Sequence, residues 1–283
     1  MRADFRALSV LLLPAVLACG PADSTAPSAD SPPVRVHAAP EVSATIACGD
    51  QVTTNLLVEN DLACVGDGLI VAADGITINL GGHTLSGNGT GNGITIRTRT
   101  GVTIQNGTVA GFLTGIFVAT SSGVVIKDNG FTGNREAVFL NGSSGNTIKA
   151  NTAWQNTSRG FMLRPTGSGV LSTDNDVKDN LLIDNPSGIL VFGQPGNTIK
   201  GNTISGSTVA ALDLIGGGAT GNEFKGNLLT TSAVGILLGP GWSAGNLFAG
   251  NTVSSNTCGL KGTTVSNTFK DNLFTGNTTD ACP

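Results

Sequence analysis

From residue 93 onward, short runs of alternating apolar and polar residues recur, each opened by a small residue. They begin as Gly93-Ile94-Thr95-Ile96, Gly115-Ile116-Phe117-Val118, Ala137-Val138-Phe139-Leu140 and Gly160-Phe161-Met162-Leu163. They continue through Gly188-Ile189, Ala211-Leu212, Gly235-Ile236 and Gly259-Leu260. The opening residue advances by 22, 22, 23, 28, 23, 24 and 24. A second pattern, apolar–Lys–x–Asn–x–x–x–x–(Asn/Ser), keeps the same phase. Its middle Asn falls at 129, 151, 180, 202, 227, 251 and 272. Self-similarity at a fixed period in the twenties marks a repeat architecture.

Each repeat therefore holds two or three strands of about four residues, because residues two apart share a face of a strand. Strands this short bury little within one repeat. They pair instead with the same strand one repeat later, so that parallel sheets wind into a coil around a continuous apolar interior. Asn suits the corners, since it tolerates left-handed φ and its amide can bond the identical amide one coil away. Leucine-rich repeats and calcium-binding nonapeptide repeats are excluded, because neither signature occurs. The expected fold is all-β: a single-stranded right-handed parallel β-helix of roughly 8–10 coils with capped ends. Residues 41–92 form the N-terminal cap and first coils, and 93–283 the repeats.

The first forty residues stand outside that pattern. Arg2 and Arg6 precede an apolar run that ends at Cys19, too short to span a bilayer and shaped like a secretory signal. Val16-Leu17-Ala18-Cys19 resembles the bacterial lipobox, which implies lipidation of Cys19 after removal of residues 1–18. Residues 19–40 are rich in Pro, Ala and Ser and read as an extended tether. The expectation is an exported lipoprotein, held to a membrane only by its lipid, on the periplasmic face or the cell surface. Four further cysteines remain, Cys48, Cys64, Cys258 and Cys282. Exported proteins keep disulfides. Of the three connectivities open to four cysteines, Cys48–Cys64 with Cys258–Cys282 is the simplest, one staple at each end of the coil.

Charge narrows the function. From residue 19 on there are 13 basic and 18 acidic residues, not the basic excess of a nucleic-acid binder. Six of the seven lysines occupy the repeat motif; Lys127, Lys149, Lys178, Lys200 and Lys225 lie in five successive coils, Ala249 interrupts, and Lys270 resumes. Such a row is either a cationic track for an anionic polymer or a solubilising surface whose stems cover apolar neighbours. The outward positions of the other strand make an apolar stripe, Phe117, Phe139, Met162 and Leu190, with Arg97 and Arg164 beside it. A stripe of that kind either binds something or is covered by turns.

The chain resembles the right-handed parallel β-helix repeat proteins of the pectin-lyase-like superfamily, and within it the NosD-like and carbohydrate-binding β-helix domains. The resemblance covers roughly 48–283, including the entry stretch from Ile76 to Gly87. The solenoid is expected to be a monomer, and the resemblance, with the two in-register rows, points to a polysaccharide or envelope polymer as partner. It also implies an alternative, a polysaccharide lyase or epimerase in which Arg164 works with Asp174, Asp176 and Asp179 of the longest repeat, together with Asp184. Calcium would enter only in that alternative, since clustered carboxylates suit it. No other cofactor and no metal is expected, copper included, because only His37, His83 and Met162 offer suitable ligands. A structural or protein-interaction solenoid using the Phe117–Leu190 stripe is the third reading. The preferred one is non-catalytic binding of a polysaccharide.

Overall fold

The computed structural model describes residues 40–239, 243–263 and 266–283; the signal-like run, Cys19 and nearly all of the tether lie outside them. Every named strand pairs in parallel with the equivalent strand one coil away, giving three sheets of 11, 10 and 11 strands. The first sheet runs from Val42–Ala44 to Thr268–Lys270, the second from Leu62–Ala63 to Leu273–Thr275, and the third from Gln51–Val52 to Thr279–Cys282. One coil visits them in that order, for example Val125–Lys127, Gly130–Thr132 and Glu136–Asn141. This is the parallel β-helix that the repeat predicts.

In most coils, strands of the first two sheets have three residues. The central residue is Ile, Val, Leu or Phe at most positions and is buried, while its two neighbours face out. β-branched and aromatic residues suit such a pleated surface. The buried rings of Phe224 and Phe248 and the partly buried ring of Phe269 stack along the coil axis, with centroids 4.7 Å apart at each step.

The corners are built from two residues. The left-handed position falls not on the ladder Asn but on the residue before it: Asp128 at φ 56°, Ala150 at 52°, Asp179 at 54°. Each Asn then turns its amide inward. Asn151 N–H and Nδ2 both donate to Asn180 Oδ1 at 3.0 Å, while Nδ2 also donates to the Ile126 carbonyl at 3.0 Å. The ladder from Asn134 to Asn277 marks the second corner, with Ser207 and Ser232 standing in for two asparagines. A third ladder, not anticipated from the motif, runs through Asn146, Asn175, Asn197, Asn222, Asn246 and Asn267 at the remaining corner.

Coil length varies mainly at that third corner. Five residues separate Asn92–Arg97 from Thr103–Gln105, whereas eleven separate Arg159–Arg164 from Asp176–Lys178. The surplus forms a turn in which Val170 O accepts from Thr166 N–H at 2.9 Å. Two disulfides, Cys48–Cys64 and Cys258–Cys282, close the ends as the simplest connectivity predicts.

Candidate functional site

The third sheet differs from the other two. Its strands are longer, and the small residue near their start is passed over in the pairing. Thr114 pairs with Glu136 and Ile116 with Val138, skipping Gly115 and Ala137. That extra residue kinks the strand, so positions three apart, Glu136 and Phe139, face the same side.

Three outward rows result. The first holds Asn92, Thr114, Glu136, Arg159 and Ser187. The second holds Thr95, Phe117, Phe139, Met162, Leu190, Asp213 and Leu237. The third begins with Arg97, Ala119, Asn141 and Arg164. Between these rows lies a groove of about 430 Å³, lined by Arg97, Phe117, Glu136, Phe139, Arg159 and Arg164 among others.

The apolar stripe is not an open patch: Phe117, Phe139 and Met162 form the floor of this groove. Phe117, Met162 and Leu190 are buried and Phe139 half-buried. Arg97 lies over the Phe117 ring at 4.6 Å, and Arg164 over the Phe192 ring at 5.4 Å. Phe117 and Phe139 meet edge to face at 5.3 Å. Planar guanidinium groups stack well on rings and keep their donors free in the ring plane.

Glu136 sits at the centre, 5% exposed. Its Oε1 accepts from Arg159 Nη1 at 3.3 Å and lies 3.6 Å from Arg135 Nε. Burial pushes its carboxyl above the ordinary Glu range, against the pull of both arginines. Asp213, also buried, accepts from Ser187 Oγ at 3.1 Å, while its Oδ1 has no partner among the described residues. Burial raises its carboxyl too, opposed by the Ser187 bond and by Arg159. Register places Asp213 three coils beyond Glu136, which is about 14 Å along the axis at the ~4.8 Å spacing of neighbouring strands. Hydrolysis by a carboxylate pair requires about 5–9.5 Å.

The solenoid geometry has counterparts among known proteins. Residues 67–229, more than half of the chain, match the family model described as the right-handed beta helix region. The chain belongs to that family. Among curated proteins there is no match. Solved structures similar to this β-helix include the A-module of a mannuronan C-5 epimerase from Azotobacter vinelandii. It is 16% identical with a TM-score of 0.66, over 85% of this chain and 76% of the module. A tailspike protein of an E. coli bacteriophage, in complex with a pentasaccharide, is 11% identical with a TM-score of 0.60, over 86% of this chain. This β-helix spans 55% of that tailspike. An alginate lyase from a Paenibacillus species is 14% identical with a TM-score of 0.51, over 80% and 92% of the two chains. At these identities the likeness is one of fold.

The lysine row of this β-helix is in register on the first sheet, Lys127 to Lys149, Lys178, Lys200 and Lys225, then Ala249 and Lys270. Acids in the adjoining outward row offset it: Asp176 pairs with Lys178 and, at 3.4 Å, with Lys200, and Glu223 pairs with Lys225. Asp128 lies 3.9 Å from Lys127. The acids of the long repeat are dispersed. Asp174, Asp179 and Asp184 take the left-handed positions of three different corners, Asp176 faces out from the first sheet, and Arg164 stands on the third. Among the described residues no three His, Cys, Asp or Glu side chains gather as a metal site.

Proposed function

We propose that this β-helix binds an acidic polysaccharide along the groove of its third sheet without cleaving it, and that lipid on Cys19 tethers it to an envelope membrane. The observation that carries the reading is the pair of ring-stacked arginines, Arg97 and Arg164, three coils apart, with the groove floor of Phe117 and Phe139 between them. Among the described residues their guanidinium groups have no carboxylate partner, whereas Arg135 and Arg159 are held by Glu136. A polymer laid along the axis meets cations at both ends of the groove and apolar rings between them. The ~14 Å between Glu136 and Asp213 supplies no hydrolytic pair. Two proteins of similar fold, a mannuronan epimerase and an alginate lyase, act on acidic polysaccharides.

Replacing Arg97 and Arg164 together with Ala is expected to lower retention on immobilised alginate or polygalacturonate about tenfold or more, a loss of charge-assisted contacts worth ~1.5–3 kcal/mol each. Retention by the wild type falls as salt rises. The wild type is expected to release no unsaturated or epimerised product from either polymer. Retention unchanged in the double variant, or product formation by the wild type, rejects the reading. The tether is tested separately: Cys19→Ser is expected to move the protein from the detergent phase to the aqueous phase on cloud-point partition.

A further inference from the structure

The second sheet presents a face of a different chemistry. From Thr84–Ser86 to Leu273–Thr275, nine successive strands expose two residues each in two aligned rows. None of these eighteen residues is charged, and eleven are Thr or Ser. The first sheet, over its own nine strands from Thr77–Asn79 to Thr268–Lys270, carries eight charged residues at eighteen equivalent positions. The same coils and the same strand geometry thus yield one charged face and one neutral one, so strand propensity alone does not account for the difference.

Three features shape the neutral face. Leu181, Leu228 and Leu273 are 38%, 37% and 56% exposed and alternate with Thr203 and Thr252 along one row. Trp154 leans over the strand of the preceding coil, where Gly130 has no side chain; a Cβ there would lie 3.2 Å from the indole ring. Among the eleven hydroxyl residues, only Ser86, Thr230 and Ser254 bond through their side-chain oxygen to another group of the described protein.

We infer that this face is a docking surface for an uncharged polysaccharide lying along the solenoid axis, with Trp154 as its anchor. A neutral glycan offers hydroxyl edges and apolar C–H faces, and the rows of Thr and Leu offer the complement to both. An indole ring presents an apolar body of the right size to a sugar face. The absence of lysine and arginine sets polyanions and anionic membranes aside. A second copy of the chain fits poorly: three residues of width by nine coils is roughly 10 by 43 Å, about 430 Å². A stable dimer needs about 800 Å² from each partner. An extended polymer needs no such area, because it engages many coils at once. The inference does not depend on the acidic groove, which lies on another sheet.

The test is co-sedimentation of the full-length chain in detergent with microcrystalline cellulose, chitin and an insoluble β-1,3-glucan, at low and at high sodium chloride. Retention on at least one is expected, undiminished by salt, because no ion pairs are screened. Trp154→Ala should reduce it about tenfold, as truncation of a buried aromatic anchor does. Leu228→Lys should reduce it as well, with circular dichroism unchanged, while the Arg97→Ala/Arg164→Ala variant should be retained like the wild type. The proposal is overturned by retention on none of the three glycans, by retention that both face variants leave intact, or by retention lost in high salt. It is equally overturned if light scattering finds a dimer that Leu228→Lys dissociates, because the occupant is then a second copy.

Discussion

Asp213 shows how much a single buried side chain is governed by its surroundings. Its carboxyl is buried on the third sheet and accepts one bond from Ser187, and among the described residues its Oδ1 has no partner. Burial raises it above the ordinary value of 3.8. The folded protein therefore holds this proton to higher pH than the unfolded chain does. The stability linked to it is full below pH 3.8 and is lost as pH rises through the raised value. Asp213→Asn keeps the shape without the buried charge, so at pH 7 it is expected to raise Tm by about 2–4 °C per kcal/mol recovered. The gain should vanish in acid. A melt series across pH checks this, and a variant less stable than the wild type at neutral pH refutes it. Glu136, raised for the same reason but held by two arginines, was not legible in the sequence. Strict alternation read back from Val138 turns its neighbour Ala137 outward and does not bring Glu136 into line with Phe139. Only the skipped residue in the third-sheet pairing does that.

At the scale of the strand, that skipped position is occupied mostly by glycine for a steric reason. A Cβ on Gly188 would lie 2.4 Å from Ile204 Cγ2 and 2.5 Å from the Ala211 carbonyl oxygen. Ala137 is tolerated in the same row where the second sheet contributes Ala153 rather than a larger residue. Gly188→Ala is accordingly expected to cost about 1–3 kcal/mol, read from the midpoint of a urea melt; a cost near zero would mean the coil can widen freely. The small-residue signal was plain in the sequence, and it set the phase of the repeat correctly. The covering of the stripe was not, because it depends on where the arginine side chains two residues further on lie. The third asparagine ladder lies outside the repeat motif, which starts at the apolar–Lys pair and leaves out the Asn two positions earlier. The Asn corners themselves were legible, but their left-handed residue is the one before.

For the whole molecule, nearest-neighbour contact between coils makes stability a sum over stacked units. The terminal coils have a partner on one side only. Cys258–Cys282 ties the last third-sheet strand to the strand before it. Replacing both cysteines with Ser is expected to cost about 3 kcal/mol and to free amides of 268–283 for hydrogen exchange while those of 177–204 stay protected. Uniform loss of protection would show that the solenoid unfolds as one unit instead. The architecture could be inferred from period and phase alone, since a repeat specifies the same contact many times over. A ligand-binding surface is specified once, by departures from the repeat such as Glu136, Trp154 and the pair Arg97 and Arg164, and a periodic reading averages such departures away.

The uneven third corner has a practical meaning. Loops of five residues and of eleven close coils of the same cross-section there, and the strands on either side keep their register. The turn after Arg164 is thus a natural socket for inserted sequence, and it opens at the rim of the groove. A lineage or an engineer can therefore change what reaches over the groove one coil at a time, leaving the scaffold beneath untouched.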